Sequence, residues 1–361
     1  MKKGWEIKTL GEVCEVIAGG DVPKNNFSKI RTEKYQIPIY TNGEKNKGLY
    51  GFTSMPRICK TSITVSARGT IGYIELREEP FYPAIRLIAI TPKHDNINTF
   101  YLKYAISRLI ISSSGTSIPQ LTVPMFKKYK IPIPTDKEEQ KEIVKKLDKG
   151  FELIDSLKET AKKNLDNAKE LFKSVLREEL SPKEGWETKT LKSSFNIKTG
   201  KLNSNEAVEN GEYPFFTCSR ETFKINSFSF DCNAVLLAGN NASGDFNVKY
   251  YNGKFDTYQR TYVITSIDES LFDIRYLYFR LILALQEFKD MSLGANTKFI
   301  KLGMIENIML NDISIKEQEE IVGRLDLIKG YCEELEGNYK RVLELCEELK
   351  QGLLREAFEV R

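Results

Sequence analysis

Histidine is almost missing from this 361-residue chain, and its scarcity removes whole classes of chemistry. His94 stands alone after Thr91-Pro92-Lys93 in a loop-like stretch, so it reads as a solvated side chain. The six cysteines (Cys14, Cys59, Cys218, Cys232, Cys332 and Cys346) form no C-x-x-C pair and no zinc-type cluster. No metal site is expected, and no disulfide framework in a reducing compartment. No apolar run reaches the roughly 18 residues of a transmembrane helix, so no membrane partner is expected. The opening Met-Lys-Lys-Gly-Trp-Glu lacks the apolar stretch of a signal peptide, and a cytoplasmic protein is expected. A G-x-x-x-x-G-K-S/T phosphate loop is absent as well. The only catalytic-looking groupings are charge runs on long helices, which read as solvated surface, so no catalytic residue is assigned.

A strong excess of charge is also lacking: 54 Lys and Arg face 50 Asp and Glu, a net of +4. The distribution says more. Residues 1–136 hold 20 basic against 11 acidic side chains, residues 137–180 hold 11 of each, residues 181–315 hold 15 against 16, and residues 316–361 hold 8 against 12. A basic first domain attracts polyphosphate, whereas the second would need a local basic patch.

What is present is a duplication. Gly4-Trp5-Glu6-Ile7-Lys8-Thr9-Leu10 returns as Gly185-Trp186-Glu187-Thr188-Lys189-Thr190-Leu191, and Glu139-Gln140-Lys141-Glu142-Ile143-Val144 returns as Glu317-Gln318-Glu319-Glu320-Ile321-Val322. A period near half the chain length means two copies of one domain, since solenoid repeats are roughly 20–50 residues. The limits drawn from this are a first domain over 1–136, a long helix over 137–181, a second domain over 182–315 and a second long helix over 316–361.

Within the first domain, β signals run through Val13 to Gly20, Ile37-Pro38-Ile39-Tyr40, Ser62 to Ser66, Ile71 to Leu76 and Ala84-Ile85-Arg86-Leu87-Ile88-Ala89-Ile90. A helix follows from about Asn98 to Ile111, and Tyr129 to Pro134 is strand-like. The second domain keeps the order. Phe195 to Gly200 matches the first strand, Tyr213 to Thr217 matches Ile37 to Thr41, and Thr261 to Ile264 matches Leu87 to Ile90. Ala234 to Gly239 aligns approximately with Ile63 to Gly69, and Ile274 to Phe288 matches the helix. Strands with few helices and no βαβ series indicate an α+β fold: two similar domains separated by two long helices packed as an antiparallel coiled coil.

The long helices start near Lys137 and Lys316, with Asp136 and Ser314 as expected N-caps. One seam runs Leu147, Ile154, Ala161, Ala168, Val175, interleaved with Phe151, Leu165 and Phe172. The other runs Leu325, Cys332, Tyr339, Cys346, Leu353, interleaved with Ile328, Leu335, Val342 and Leu349. Seven-residue spacing over four or more heptads signals a coiled coil. A helix of about 40 residues is about 60 Å long. Two heads on such a pair would make a ruler with a reading head at each end.

On these motifs the chain resembles the specificity (S) subunit of type I restriction-modification enzymes. The resemblance rests on the doubled Gly-Trp-Glu phrase, on Ile131-Pro132-Ile133-Pro134 leading to Glu139-Gln140-x-x-Ile143-Val144, and on Ser66-Ala67-Arg68-Gly69-Thr70-Ile71-Gly72. Leu176-Arg177-Glu178 and Leu354-Arg355-Glu356 close the two helices in one register. The second copy replaces the proline strand with Ile308-Met309-Leu310-Asn311. The resemblance implies two target recognition domains, each reading one half of a split, asymmetric site in double-stranded DNA, and two spacer helices that fix the gap. It implies a non-catalytic subunit without a cofactor of its own. Two copies of a DNA adenine methyltransferase subunit would bring S-adenosylmethionine, and restriction/translocase subunits, where present, ATP and Mg. The chain has no Asn/Asp-Pro-Pro-Tyr/Phe run to hold a flipped base, consistent with that division.

Base reading needs side chains with donors and acceptors, arginine for guanine and Asn or Gln for adenine, while Lys, Arg and hydroxyls serve phosphates. The candidates in the first domain are Asn42, Lys45, Arg68, Thr70, Arg86, Thr116, Ser117 and Gln120. In the second they are Ser219, Arg220, Asn240, Asn241, Tyr258, Arg260, Asn296, Thr297 and Lys298. Arg68 and the Asn240-Asn241 pair stand first among them. Two other readings remain: a two-headed protein-binding adaptor, and a nuclease, for which Asp245 and Asp256 are too isolated to hold metal. An orphan recognition subunit without a nuclease partner is not separable from a full system by sequence.

Overall fold

Each Gly-Trp-Glu phrase becomes the opening strand of a head, for reasons its residue types supply. Gly4 and Gly185 both adopt φ +85°, a left-handed conformation that costs glycine little. Leu10 and Leu191 at the end of the phrase are fully buried. In the first copy Thr9 caps the following turn, its Oγ1 accepting from the Glu12 backbone N–H at 3.3 Å. The computed structural model describes residues 4–67, 71–113 and 121–359, with the backbone alone for 110–113. It divides into two units, residues 1–162 with 341–361, and residues 163–340.

The first unit contains β1 (Trp5–Thr9), α1 (Leu10–Val13), β2 (Cys14–Ala18), β3 (Ile37–Tyr40), β4 (Leu49–Thr53), β5 (Ser62–Ser66), β6 (Ile74–Arg77), β7 (Tyr82–Pro83) and β8 (Leu87–Pro92). After them come α2 (Thr99–Ser113), α3 (Val123–Lys128), β9 (Lys130–Pro134) and the start of α4 (Lys137–Leu180). Strands β2-β8-β5-β6 form one sheet and β4-β3-β7 another, while β1 pairs antiparallel with β9. Asn98 starts α2 by accepting the N–H of Phe100 and Tyr101 at 2.8 and 3.2 Å. The helix lays Tyr101, Leu102, Ala105 and Ile106 onto Ile63, Val65, Ile88 and Ile90. That spacing is the apolar face of a helix on the inward face of a sheet.

The second unit repeats the plan. It holds the rest of α4, then β10 (Glu187–Thr190), β11 (Phe195–Thr199), β12 (Tyr213–Phe216), β13 (Thr222–Ile225), β14 (Phe230–Ala238), β15 (Asn240–Asn241), β16 (Val248–Thr257) and β17 (Thr261–Ser266). Next are α5 (Ile274–Met291), β18 (Lys298–Phe299), α6 (Leu302–Glu306), β19 (Met309–Asp312) and α7 (Ile315–Ala357), whose last part belongs to the first unit. Here one sheet runs β11-β17-β14-β16-β12-β13, because the ten-residue β16 does the work of both β6 and β7. In the first unit Glu78-Glu79-Pro80 interrupts that strand, and proline has no N–H for a ladder. Leu277, Leu281, Ala284 and Phe288 of α5 pack on Val235, Leu237 and Ile264. Strand β19 pairs with β10 as β9 does with β1, so the proline strand and its replacement occupy one place.

The expected caps of the long helices are present. Asp136 Oδ1 accepts from the Glu138 N–H at 2.9 Å. Ser314 and Glu317 bond reciprocally, Glu317 N to Ser314 Oγ at 3.3 Å and Ser314 N to Glu317 Oε2 at 3.1 Å. Within each unit the helices run antiparallel. In the first, Asp155 pairs with Lys350 and Lys158 with Glu347. In the second, Glu179 takes a two-pronged bond from Arg324 at 2.8 Å, and Phe172 meets Cys332. Leu147, Ile154, Ala161, Ala168, Leu325, Cys332 and Cys346 are buried as expected, while Val175, Tyr339 and Leu353 are half-buried. Leu335 and Leu349, read as seam residues, are instead 38% and 52% exposed. A two-helix contact closing over small residues such as Ala and Cys buries chiefly one position per heptad, and leaves these leucines outside.

Two strand assignments are corrected. Residues Ala84 to Ile90 read as one apolar run, but Ile85 and Arg86 form a turn with φ +48° and +59°, and the strand starts at Leu87. Strand β14 is also shifted by one position. Thr64 pairs with Ala89 and Leu236 with Val263, so Ala67 corresponds to Gly239.

Candidate nucleic-acid interface

The turn before β8 and the turn before β17 are built from the same backbone bonds. Ala84 N donates to Tyr40 O at 2.8 Å, Ile85 N to Gly20 O at 2.8 Å and Leu87 N to Ala84 O at 3.2 Å. In the second unit Tyr258 N donates to Phe216 O at 2.9 Å, Gln259 N to Leu202 O at 2.9 Å and Thr261 N to Tyr258 O at 2.8 Å. Both turns press on a glycine. A Cβ on Gly19 would come within 2.8 Å of Ala84 N, and one on Gly200 within 1.9 Å of Thr257 O. Arg86 and Arg260 are therefore equivalent, and both are exposed.

Around the first turn, both ends of the Asn42 carboxamide bind backbone. Its Nδ2 donates to Ile85 O at 2.9 Å and its Oδ1 accepts from Ala67 N at 3.1 Å. Asn42 thus ties the Arg86 turn to the end of β5. Lys45 is exposed in the short 45–48 turn, where Asn46 and Lys47 both have positive φ. Leu121 N donates to Ala67 O at 3.2 Å, which brings Leu121 to this edge. Arg68, Thr70, Thr116, Ser117 and Gln120 lie outside the described residues.

Around the second turn more of the candidates meet. Ile300 N donates to Gly239 O at 2.9 Å, and Asn240 and Asn241 pair with Phe299 and Lys298. A cleft of about 280 Å³ lies between Arg260, Gln259, Gly239, Tyr262 and Phe299. Asn241 is a turn-former: its Oδ1 accepts from Ser243 N at 2.8 Å and Asp245 N at 3.1 Å. That places Asp245, whose Oδ1 and Oδ2 both accept from Arg220 Nη2, at 2.8 and 2.7 Å. Ser219 Oγ accepts from Glu221 N at 3.2 Å. Asn296 and Thr297 are exposed at the tip of the hairpin closed by Leu293 and Phe299. Tyr258 is half-buried and bridges Leu202.

Two cations that sequence reading passed over hold these loops from behind. Arg77, only 6% exposed, stacks 3.6 Å over the Tyr40 ring. It donates to Thr64 Oγ1 at 3.0 Å and to Lys47 O at 2.6 Å, and burial lowers its pKa. Lys249 reaches Ser219 O at 2.8 Å and Glu221 O at 2.9 Å, and burial lowers its pKa too. Each anchors the loop beside the turn arginine. On an alternating strand, one charged residue reads as solvent-facing, so no sequence signal marked them.

Two buried glutamines were visible in the repeated motif without an assigned task. Gln140 Oε1 accepts from Asn98 N at 2.8 Å, and its Nε2 donates to Asn96 O and Pro134 O at 3.0 Å. Gln318 Oε1 accepts from Asp273 N at 3.0 Å, and its Nε2 donates to Leu271 O and Ile313 O at 2.9 Å. Each fastens the first turn of a long helix to the base of its head.

Comparison with known proteins agrees with the duplication. The model of the type I restriction modification DNA specificity domain matches twice, over residues 2–167 and 183–345. The specificity subunit of the type I restriction enzyme EcoDI from Escherichia coli is 36% identical over 169 residues, 47% of this chain and 37% of that protein. The match therefore spans less than half of that relative's length. The MjaIX specificity subunit of Methanocaldococcus jannaschii is 23% identical over 98% of this chain and 92% of its own. A solved structure described for complex assembly and conformational transition of the type I R-M system has the same fold, with a TM-score of 0.80 and 18% identity over 99% of this chain and 98% of that one.

Proposed function

The chain belongs to the type I restriction-modification DNA specificity family, and on that premise we propose that it reads a split, asymmetric target in double-stranded DNA, one head per half-site. The observation that carries this is the duplicated cradle. Two turns with the same backbone bonds each present an exposed arginine, while the loops around them differ in residue and shape. A constant frame with varied loops suits two heads that dock alike on the duplex and read different bases. Lys45 and Lys298 are suited to phosphates, and the net +9 of residues 1–136 favours the first head's approach to DNA.

In this reading the chain performs no chemical step and holds no cofactor. Its long helices receive two copies of a DNA adenine methyltransferase subunit, which supplies S-adenosylmethionine, and restriction/translocase subunits bring ATP and Mg. The helices also set the gap. At about 1.5 Å per residue the 44-residue α4 is about 66 Å long, enough for about one turn of DNA, roughly 34 Å, between half-site centres.

The test is a titration of the complex with its methyltransferase subunit against random-sequence duplex DNA at several salt concentrations. Affinity that drops steeply between about 50 and 200 mM salt supports the reading. A complex that leaves DNA unbound at low salt would favour the adaptor reading.

A further inference from the structure

Arg86 and Arg260 recur at one place although their surroundings have changed. Asn42 has become Cys218, Ile85 has become Gln259 and Leu87 has become Thr261, yet the turn and its arginine persist. Among the described residues neither guanidinium has a hydrogen-bond or ion-pair partner. Arg220, by contrast, is taken up by Asp245, and Arg77 by Thr64 and Lys47.

The first turn is also strained. A β-branched residue at positive φ is an outlier, and Ile85 is held there by Gly20 and by Asn42. Strain that the surroundings enforce gathers where a chain must aim a side chain. The second turn achieves the same placement without positive φ. There the Arg260 carbonyl is fixed by Gly239 N at 2.9 Å and the Cys218 thiol at 3.4 Å. A free, planar guanidinium on a rigid turn matches the O6 and N7 acceptors of guanine with two parallel donors. A phosphate contact would not need that rigidity.

We propose that Arg86 and Arg260 are the guanine readers of their heads, so that each half-site contains one G·C pair contacted from the same place in the fold. This rests on the DNA-reading function proposed above. It adds which residue reads, which base is read, and that the two half-sites share the feature.

The experiment maps methylated adenines on a plasmid library of randomised duplex DNA. It uses complexes of the methyltransferase subunit with the wild-type chain, Arg86→Ala, Arg86→Lys and Arg260→Ala. The wild-type motif should specify a G·C pair in each half. Arg86→Ala should relax that pair in one half only, with a roughly 5- to 150-fold loss of preference, and Arg260→Ala should do so in the other. Arg86→Lys keeps the charge but loses the fork, so it should relax the same pair and guards against a folding defect in the alanine variant. An unchanged motif overturns the proposal. So does uniform weakening on all sequences with a salt slope reduced by about one, the mark of a phosphate contact. A wild-type complex yielding no split motif would instead defeat the function on which the proposal rests.

Discussion

Replacing Gln318 with leucine should destabilise the second unit far more than its conservative size suggests. The residue is fully buried and its amide makes three bonds, to Asp273 N, Leu271 O and Ile313 O. Leucine fills the space but leaves one buried donor and two buried acceptors without it. An unmade buried bond costs about 1–3 kcal/mol, and the added apolar burial returns about 1–2 kcal/mol. Over the three groups the net loss is therefore roughly 1–8 kcal/mol, about 4 at its middle. For a unit of this size about 1 kcal/mol shifts the melting temperature by 2–4 °C, so the transition should fall by roughly 8–16 °C. Differential scanning calorimetry on Gln318→Leu reads the second unit, and the same substitution at Gln140 reads the first. A shift below about 2 °C in both would refute the claim that this glutamine fastens helix to head.

Three further outcomes are expected. Lys249→Met should free the 217–221 loop, costing about 1–2 kcal/mol and raising amide exchange at Ser219 to Glu221; unchanged exchange would mean the ammonium is not the anchor. Ile85→Gly should stabilise the first unit by about 0.5–1 kcal/mol, because glycine relieves the left-handed strain while costing some chain entropy. Urea unfolding that shows a loss would sink that account. Arg324→Met tests the pH dependence of the helix pair. Glu179's carboxyl is held below its usual range chiefly by its hydrogen bond with Arg324. A lowered folded-state value means the stabilisation is present above the unfolded pKa and lost as pH falls through the folded one. Arg324 is half exposed, so the difference between wild type and variant should be about 0.5–1 kcal/mol near neutrality and vanish in acid. A difference that persists in acid would contradict this assignment.

Much of the frame was legible because it rests on local rules. The α5 face of Leu277, Leu281, Ala284 and Phe288 follows the helical period, and the caps Asp136 and Ser314 follow from side-chain oxygen at a helix start. What escaped depends on partners distant in sequence. Ala84 to Ile90 reads as strand because apolar residues carry no mark of φ; the turn is imposed by Gly20 and Asn42, which lie 65 and 43 residues before Ile85. Arg77 and Lys249 turn inward toward partners distant in sequence, Lys47 O, Thr64 Oγ1 and the Tyr40 ring for the one and the carbonyls of Ser219 and Glu221 for the other. Asn42 and Asn241 illustrate the limit for the interface itself. Both were chosen for their amides, and the structure engages those amides in shaping the loops. The arginines gained weight from topology: matching Thr261 to Ile264 with Leu87 to Ile90 sets Arg260 against Arg86, and the shared backbone bonds of the two turns bear that out.

Two heads that read two half-sites at a fixed spacing would leave a distinctive pattern of methylation. The most direct measurement is the genome-wide map of methylated adenines when this chain is co-expressed with its methyltransferase subunit. The expected result is one asymmetric motif in two specified parts, separated by a gap of constant length. Methylation at a single uninterrupted motif, or at parts whose separation varies freely, would contradict it.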